Sequence, residues 1–317
     1  VNTTGGLYNR VDIDIQLEPF SLFESEQLLL QNDVTLSRYD LMEVYMAVGG
    51  IPYYLNQLLP GLSAAEQIDR LVFDRKAKLT DEFDKLFNST FANAEASKRV
   101  VQYLSTRHSG YSRDEISKRI GVQGQELTRL LRGLEAGDFI QKYQPFGCNA
   151  RQLQYRLVDH FCWFWLRQVE GKNRGPHYWQ DNSTSTSTRV WRGIAFEELC
   201  LSHIDQLKSA LGIAAVATQS SAWSVPATEQ QHGSQIDLII TRKDNMVHLC
   251  EMKCYEDFYQ VDNEEEMKMR HRMAMLRSQI SPRQSVQTTL VTTFGLTPGK
   301  HSGIFSRVVV LDDLFLP

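Results

Sequence analysis

Asp237, Glu251 and Lys253 are the residues whose types and spacing point to chemistry. They lie in one stretch, QIDLIITRKDNMVHLCEMK, residues 235–253. Asp237 stands on an apolar run, 236–240, and Glu251 and Lys253 close the next, 247–253. The polar Arg242-Lys243-Asp244-Asn245 between them reads as a hairpin loop. Side chains alternate faces along a strand, so Glu251 and Lys253, two apart, point the same way. Pairing of the strands brings Asp237 to them, with Gln235 on the same face as Asp237. Two carboxylates and an ammonium suit Mg²⁺ (or Mn²⁺) on hard oxygens and charge developing on a phosphate. Asp237 and Glu251 are then the metal ligands.

An E-x-K triplet alone carries little, because Glu and Lys are common at strand ends; an Asp on the preceding strand adds weight. The combination resembles the PD-(D/E)xK nuclease superfamily, with Asp237 as its acidic residue and Glu251-Met252-Lys253 as its ExK. Upstream, Phe196, Leu199 and Cys200 fall on one helix face, and Leu207 continues the stripe. The superfamily often carries a Glu on the helix before its core sheet, so the resemblance implies a catalytic role for Glu197. Taken by itself, Glu197 is a solvated helix residue. The alternative for the whole constellation is a nuclease fold that kept its shape and lost its chemistry.

The elements around these residues belong to a chain of 317 residues, 42% hydrophobic and 23% charged, long enough for two or three domains. A net charge of −4 does not advertise nucleic-acid binding. No apolar run approaches the roughly 18 residues that span a bilayer, and no secretory leader is visible, so a cytoplasmic protein with no membrane partner is expected. Five scattered cysteines without C-x-x-C spacing read as buried free thiols.

The N-terminal third reads as a strand, 11–17, followed by helices. Ser21 and Ser63 each open a capping box, Ser37 starts a helix through Val48, and Pro52 begins another to residue 59. A last helix covers 79–91. From Ser97 to Lys142 there are nine basic and five acidic residues. Here a helix over 96–106, a short helix capped by Ser112, a third over 123–136 and strands 139–143 and 152–157 follow winged-helix order. The third helix offers Gln125, Thr128, Arg129 and Arg132 to bases and phosphates of DNA. The alternative is a module packed between its neighbours that touches no DNA. Residues 158–169 read as a buried connecting helix, with Phe161, Trp163, Phe164 and Trp165 as packing residues. The run DNSTSTST, 181–188, reads as a mobile loop. Beyond it come a helix over 190–210, a strand over 213–218, an irregular loop over 220–233, the hairpin, a charged helix over 262–279, and strands 287–293 and 307–311.

LEPFSLFESEQLL followed by YMAVGGIPYYLNQLLPG resembles the last strand and helical lid of a P-loop AAA-type ATPase, of the prokaryotic kind with a C-terminal nuclease-like domain. The likeness runs from about Gly5 to Leu316. There is no G-x-x-x-x-G-K-[ST] and no Walker B strand, so the resemblance implies the C-terminal portion of a longer ATPase, with ATP bound only in that parent protein and oligomers formed through it. Arg10 lies where such ATPases can carry a nucleotide-sensing arginine; a surface Arg before a strand is the other reading. The expected fold is multidomain α+β: a lid remnant over 1–93, a winged helix and connecting helix over 94–170, and a restriction-endonuclease-like α/β core over 171–317. Three functions follow. One is a Mg²⁺-dependent DNA phosphodiesterase, in which Lys253 acts on the attacking water or the developing phosphate charge. Another is a non-catalytic DNA-binding or interaction module coupled to the nucleotide state of a parent ATPase. The third is an assembly segment whose nuclease-like fold is only structural.

Overall fold

The computed structural model describes residues 17–149, 152–225 and 234–317. Arg10 and the expected first strand up to residue 16 lie outside the described residues. So do residues 226–233 of the expected irregular loop.

Caps set the N-terminal helices. Ser21 Oγ accepts from the Glu24 N–H, and the Glu24 carboxylate accepts from the Ser21 N–H at 2.8 Å, opening α1 (Leu22–Gln31). Ser37 caps α2 (Arg38–Val48), which is buried all round from Leu41 to Val48. Phe20 N–H donates to the Gly50 carbonyl beyond it. A Cβ on Gly50 would lie 1.9 Å from the Phe20 oxygen, so only glycine allows this approach. Pro52 takes the first position of α3 (Pro52–Leu55), which ends four residues before the expected 59. A second capping box at Ser63 opens α4 (Ala64–Ile68), continued by a π-helical turn, Asp69–Phe73. α5 (Glu82–Thr90) buries Phe83 and Phe87.

The middle of the chain runs α6 (Ala94–Leu104), β1 (Tyr111–Ser112), α7 (Arg113–Ile120), α8 (Gly124–Ala136), β2 (Ile140–Tyr143) and β3 (Gln154–Leu157). The strands form an antiparallel sheet in the order β1-β3-β2. Sequence periodicity misses β1, because two residues show no alternation. α9 (His160–Phe164) passes into a π-helical turn, Trp165–Val169, and Phe161, Trp163 and Phe164 are buried.

Two expectations are corrected here. The polar run 181–188 is largely helical: α10 (Tyr178–Asn182) ends in it and α11 (Thr186–Ser202) begins in it. Ser185 Oγ accepts from the Thr188 N–H, because Ser is a good helix cap as well as a loop residue. His203 then separates α11 from α12 (Ile204–Ala210). In place of a strand over 213–218, β4 (Thr218–Val225) lies within what reads as loop. It is an edge strand with polar residues and a register shift between Ser221 and Trp223, which hides the apolar alternation.

β5 (Ser234–Arg242), β6 (Met246–Lys253), α13 (Asn263–Arg277), β7 (Ser285–Thr292) and β8 (Arg307–Val310) complete a five-stranded sheet ordered β4-β5-β6-β7-β8. Its first three strands are antiparallel; β6, β7 and β8 are parallel. Ile239, Val247 and Leu249 pack with Met269 and Leu276 of α13 on one face. Leu238, Ile240, Cys250 and Met252 join the main core, which includes α11, on the other. The fold is thus mixed α and β. Among the described residues no helix is long and apolar enough to cross a membrane.

Candidate functional site

The hairpin register places the chemistry. Leu238 pairs with Cys250 and Ile239 with Leu249, and Asp237 lies one residue beyond the end of this ladder, beside the strand end that carries Glu251. Asp237 Oδ2 accepts the Met252 N–H at 3.0 Å, which ties the carboxylate across the strands. Lys253 Nζ lies 2.8 Å from Glu251 Oε1. The other Glu251 oxygen accepts from Arg272 Nη1 of α13 at 2.5 Å. Glu251 is almost fully buried, yet each of its oxygens meets a cation.

Glu197 reaches the same place from α11. Its Oε2 lies 3.1 Å from His108 Nδ1, while His108 Nε2 lies 3.2 Å from Glu198 Oε2. Arg156 Nη1 of β3 holds that Glu198 oxygen at 2.9 Å. Both imidazole nitrogens therefore face carboxylates and both carry protons. Burial alone would push His108 down; Glu197 and Glu198 outweigh it and hold its pKa at about 9. Burial likewise opposes the charge on Glu198, but Arg156 and His108 keep it below the usual carboxylate range. Gly110 fixes the turn that carries His108. At φ 73° it packs so close to β3 that a Cβ would meet the Tyr155 oxygen at 2.1 Å.

A cleft of about 100 Å³ opens between these groups. His108, Tyr143, Arg156, Glu197, Gln235 and Asp237 are among the residues that line it. Burial, reinforced by Glu251 and Glu197, pushes the Asp237 carboxyl well above its usual range. Burial disfavours the charge on Lys253, but Glu251 outweighs burial and raises its pKa. A hard divalent cation would relieve the crowding of Asp237 by Glu251 and Glu197. Each Glu251 oxygen keeps a second lone pair beside its cation, so the donor set fits such an ion, with Lys253 and Arg272 as competitors. Among the described residues no three His, Cys, Asp or Glu side chains already stand as a ready metal cage.

Of the residues singled out in sequence, Asp237, Glu251, Lys253 and Glu197 come together. The four on α8 lie elsewhere. Gln125, Arg129 and Arg132 are exposed, and Arg129 and Arg132 have no ion-pair partner among the described residues. Thr128 is half-buried and engaged: Arg113 Nη2 donates to its Oγ1 at 3.0 Å, and that hydroxyl donates to the Gly124 carbonyl. Sequence reading missed His108, Glu198, Arg156 and Arg272. Only Glu198, next to Glu197, carried any local signal.

No known family profile matches the chain. A stretch of 132 residues, 41% of the chain, is 24% identical to "Uncharacterized protein MJECL04" of Methanocaldococcus jannaschii and spans 29% of that protein. The crystal structure of protein VC1899 from Vibrio cholerae aligns with 98% of this chain and 62% of its own, at 13% identity and a TM-score of 0.27. At that score the likeness carries no argument about fold.

Proposed function

We propose that the chain is the C-terminal part of an AAA-type ATPase that carries a DNA-binding winged helix and a PD-(D/E)xK nuclease-like domain, and that this domain hydrolyses DNA phosphodiesters with Mg²⁺ or Mn²⁺. The observation that carries the reading is the convergence on one cleft. Asp237 and Glu197 line it, Asp237 accepts the N–H of Met252 next to Glu251, and Lys253 sits on Glu251. Two element orders add support. The run α11, α12, β4, β5, β6, α13, β7 has the α-β-β-β-α-β order of that nuclease core with the short α12 added, and α6, α7, α8, β2, β3, with the short β1 after α6, have winged-helix order.

Asp237 and Glu251 would hold the metal, whose positive charge would polarise the scissile phosphate. The protein's own groups do the rest. Glu251 keeps Lys253 protonated, so Lys253 offers a fixed positive charge where negative charge develops in the transition state. Glu197 and Gln235, on the cleft wall, orient the attacking water. Arg129 and Arg132, exposed on α8, bind the DNA backbone.

A single comparison tests this. Mn²⁺-dependent cleavage of DNA is expected from the wild type, lost in Asp237→Asn and lowered on the order of a hundredfold in Lys253→Ala, with DNA binding little changed. Arg129→Ala with Arg132→Ala should instead weaken binding and flatten its salt dependence by up to about two units of slope. Wild-type protein that binds DNA but never cleaves it would sink the enzyme reading. The second reading, a non-catalytic module answering to a parent ATPase, would then stand. It has its own support in the pairing of both Glu251 oxygens with cations.

A further inference from the structure

A second groove forms where the π-helical turn Asp69–Phe73 meets the segment leading into α10, and it shares no lining residue with the cleft. It holds about 410 Å³ and is lined by Arg70, Asp74, Arg75, Lys76, Lys78 and Pro176. Two contacts build it. The Asp69 carboxylate accepts the Trp179 N–H at 2.7 Å and the Gln180 N–H at 3.0 Å, and the Phe73 and Tyr178 rings meet at 5.2 Å. Arg174, two residues before Pro176, lies 3.9 Å over the Tyr178 ring. Residues 70–78 thus carry four cations and one acid in a chain of net charge −4.

The well-covered cations elsewhere sit on carboxylates: Lys98 on Asp84, Arg156 on Glu198, Arg192 on Glu43, Arg272 on Glu251. Those of the groove do not. Arg70 donates to the Gln57 carbonyl, Lys78 to Gln57 Oε1, and Arg174 to Gln168 Oε1 at 2.9 Å, all neutral oxygens. Arg70 Nε is buried with no partner among the described residues. Arg75 and Lys76 are exposed, and neither has an ion-pair partner among the described residues. Burial pushes the pKa of Arg174 and Lys172 down, and Arg174 and Arg167 lower Lys172 further. An anion would relieve this crowding of like charge.

We propose that this groove binds the phosphodiester backbone of a nucleic-acid strand. Pockets for small molecules are lined mainly by apolar side chains with a few polar groups. Here five of the six lining residues are charged, and only Pro176 is apolar. Such a wall gives a base or an acyl chain little to pack on, but gives successive phosphates a cation each. Gln57 holds two of those cations side by side, Arg70 by its carbonyl and Lys78 by its side chain. Contacts of this kind fix a strand without reading its sequence. The proposal goes beyond the function proposed above, because neither the Asp237 cleft nor α8 supplies a residue to the groove.

The test measures binding of oligo-dT and oligo-U of equal length to the full chain, by fluorescence anisotropy over a range of salt, in EDTA. Without divalent metal no cleavage enters, so the outcome is separate from that of the phosphodiesterase reading. Arg75→Ala, Lys76→Ala and Lys78→Ala combined should weaken binding about tenfold and lower the salt slope by about two units, at roughly 0.7 for each phosphate contact on a single strand. The same loss of slope should appear when these changes are added to Arg129→Ala with Arg132→Ala, since α8 is a separate surface. Asp74→Asn removes the one acid and should strengthen binding, a gain that misfolding cannot mimic. Unchanged affinity and slope in the triple variant overturns the proposal. A loss confined to oligo-dT or to oligo-U means that bases or sugars are read and overturns the backbone contact. Inorganic triphosphate bound as tightly as the strand makes the groove a small-anion site and also overturns it.

Discussion

His203 has one proton to place and two partners that decide where. The Leu22 N–H donates to its Nε2 at 2.9 Å, so Nε2 must be bare, and Nδ1 carries the hydrogen toward the Leu199 carbonyl at 2.9 Å. The ring therefore stays neutral, and burial pushes its pKa down to about 4. His160 is pushed to about 4 by the same cause, with a buried Nε2 that has no partner among the described residues. Between pH 6.5 and 4 the unfolded chain takes up these protons and the folded one does not. Stability is therefore lost as pH falls through 6.5 toward 4, by up to about 3 kcal/mol for each ring. Replacing His160 with Phe should flatten the pH dependence of the urea midpoint in that range by one proton's worth of slope; an unchanged slope would remove His160 from the account. Asp237, Glu251 and Lys253 were legible because strand alternation fixes which way neighbours point. His108 and Arg272 were not, since they meet Glu198 and Glu251 across 90 and 21 residues of chain, where local pattern says nothing.

At the scale of elements, helix starts were the most readable feature. The capping boxes at Ser21, Ser63 and Ser112 all form, because the signal and its cause lie within four residues. Strands fared unevenly for the same reason. β5 and β6 are apolar through the sheet centre, whereas β4 at the edge shows its polar residues and reads as loop. The serine-threonine run misled in another way, since one composition serves loops and caps alike. In it, Ser185 Oγ accepts from the Thr188 N–H, and the Thr188 hydroxyl donates to the Asn182 carbonyl, joining the end of α10 to the start of α11. Ser185→Ala should cost about 1 kcal/mol in chemical denaturation, whereas Ser187→Ala, not a cap, should cost far less. Equal costs would mean that α11 is held by its buried face alone.

At the scale of the whole molecule, three expected domains share one core. A single apolar cluster runs from Leu22 of α1 through Leu127 of α8 and Phe196 of α11 to Phe315. Composition hinted at two or three units but could not reveal that their apolar faces meet. The last helical turn, Leu311–Phe315, shows the coupling best. Its Leu314 and Phe315 are buried, and the Arg38 guanidinium of α2 sits 4.6 Å above the Phe315 ring. Arg38 also pairs with Glu26 of α1 and Asp312 of that turn, so the N-terminal helices and the C-terminal turn hold each other. Those exposed pairs are worth little alone; the buried ring carries most of the stabilisation. Removing it should cost about 3–5 kcal/mol, because a cavity is left where helices from both ends of the sequence meet. If the core is continuous, the loss will not stay local: in Phe315→Ala, amides of α1 and α2 should exchange faster along with those of the last turn. Fraying confined to residues 311–317, with α1 as protected as before, would instead show that the N-terminal helices stand without the C-terminal turn.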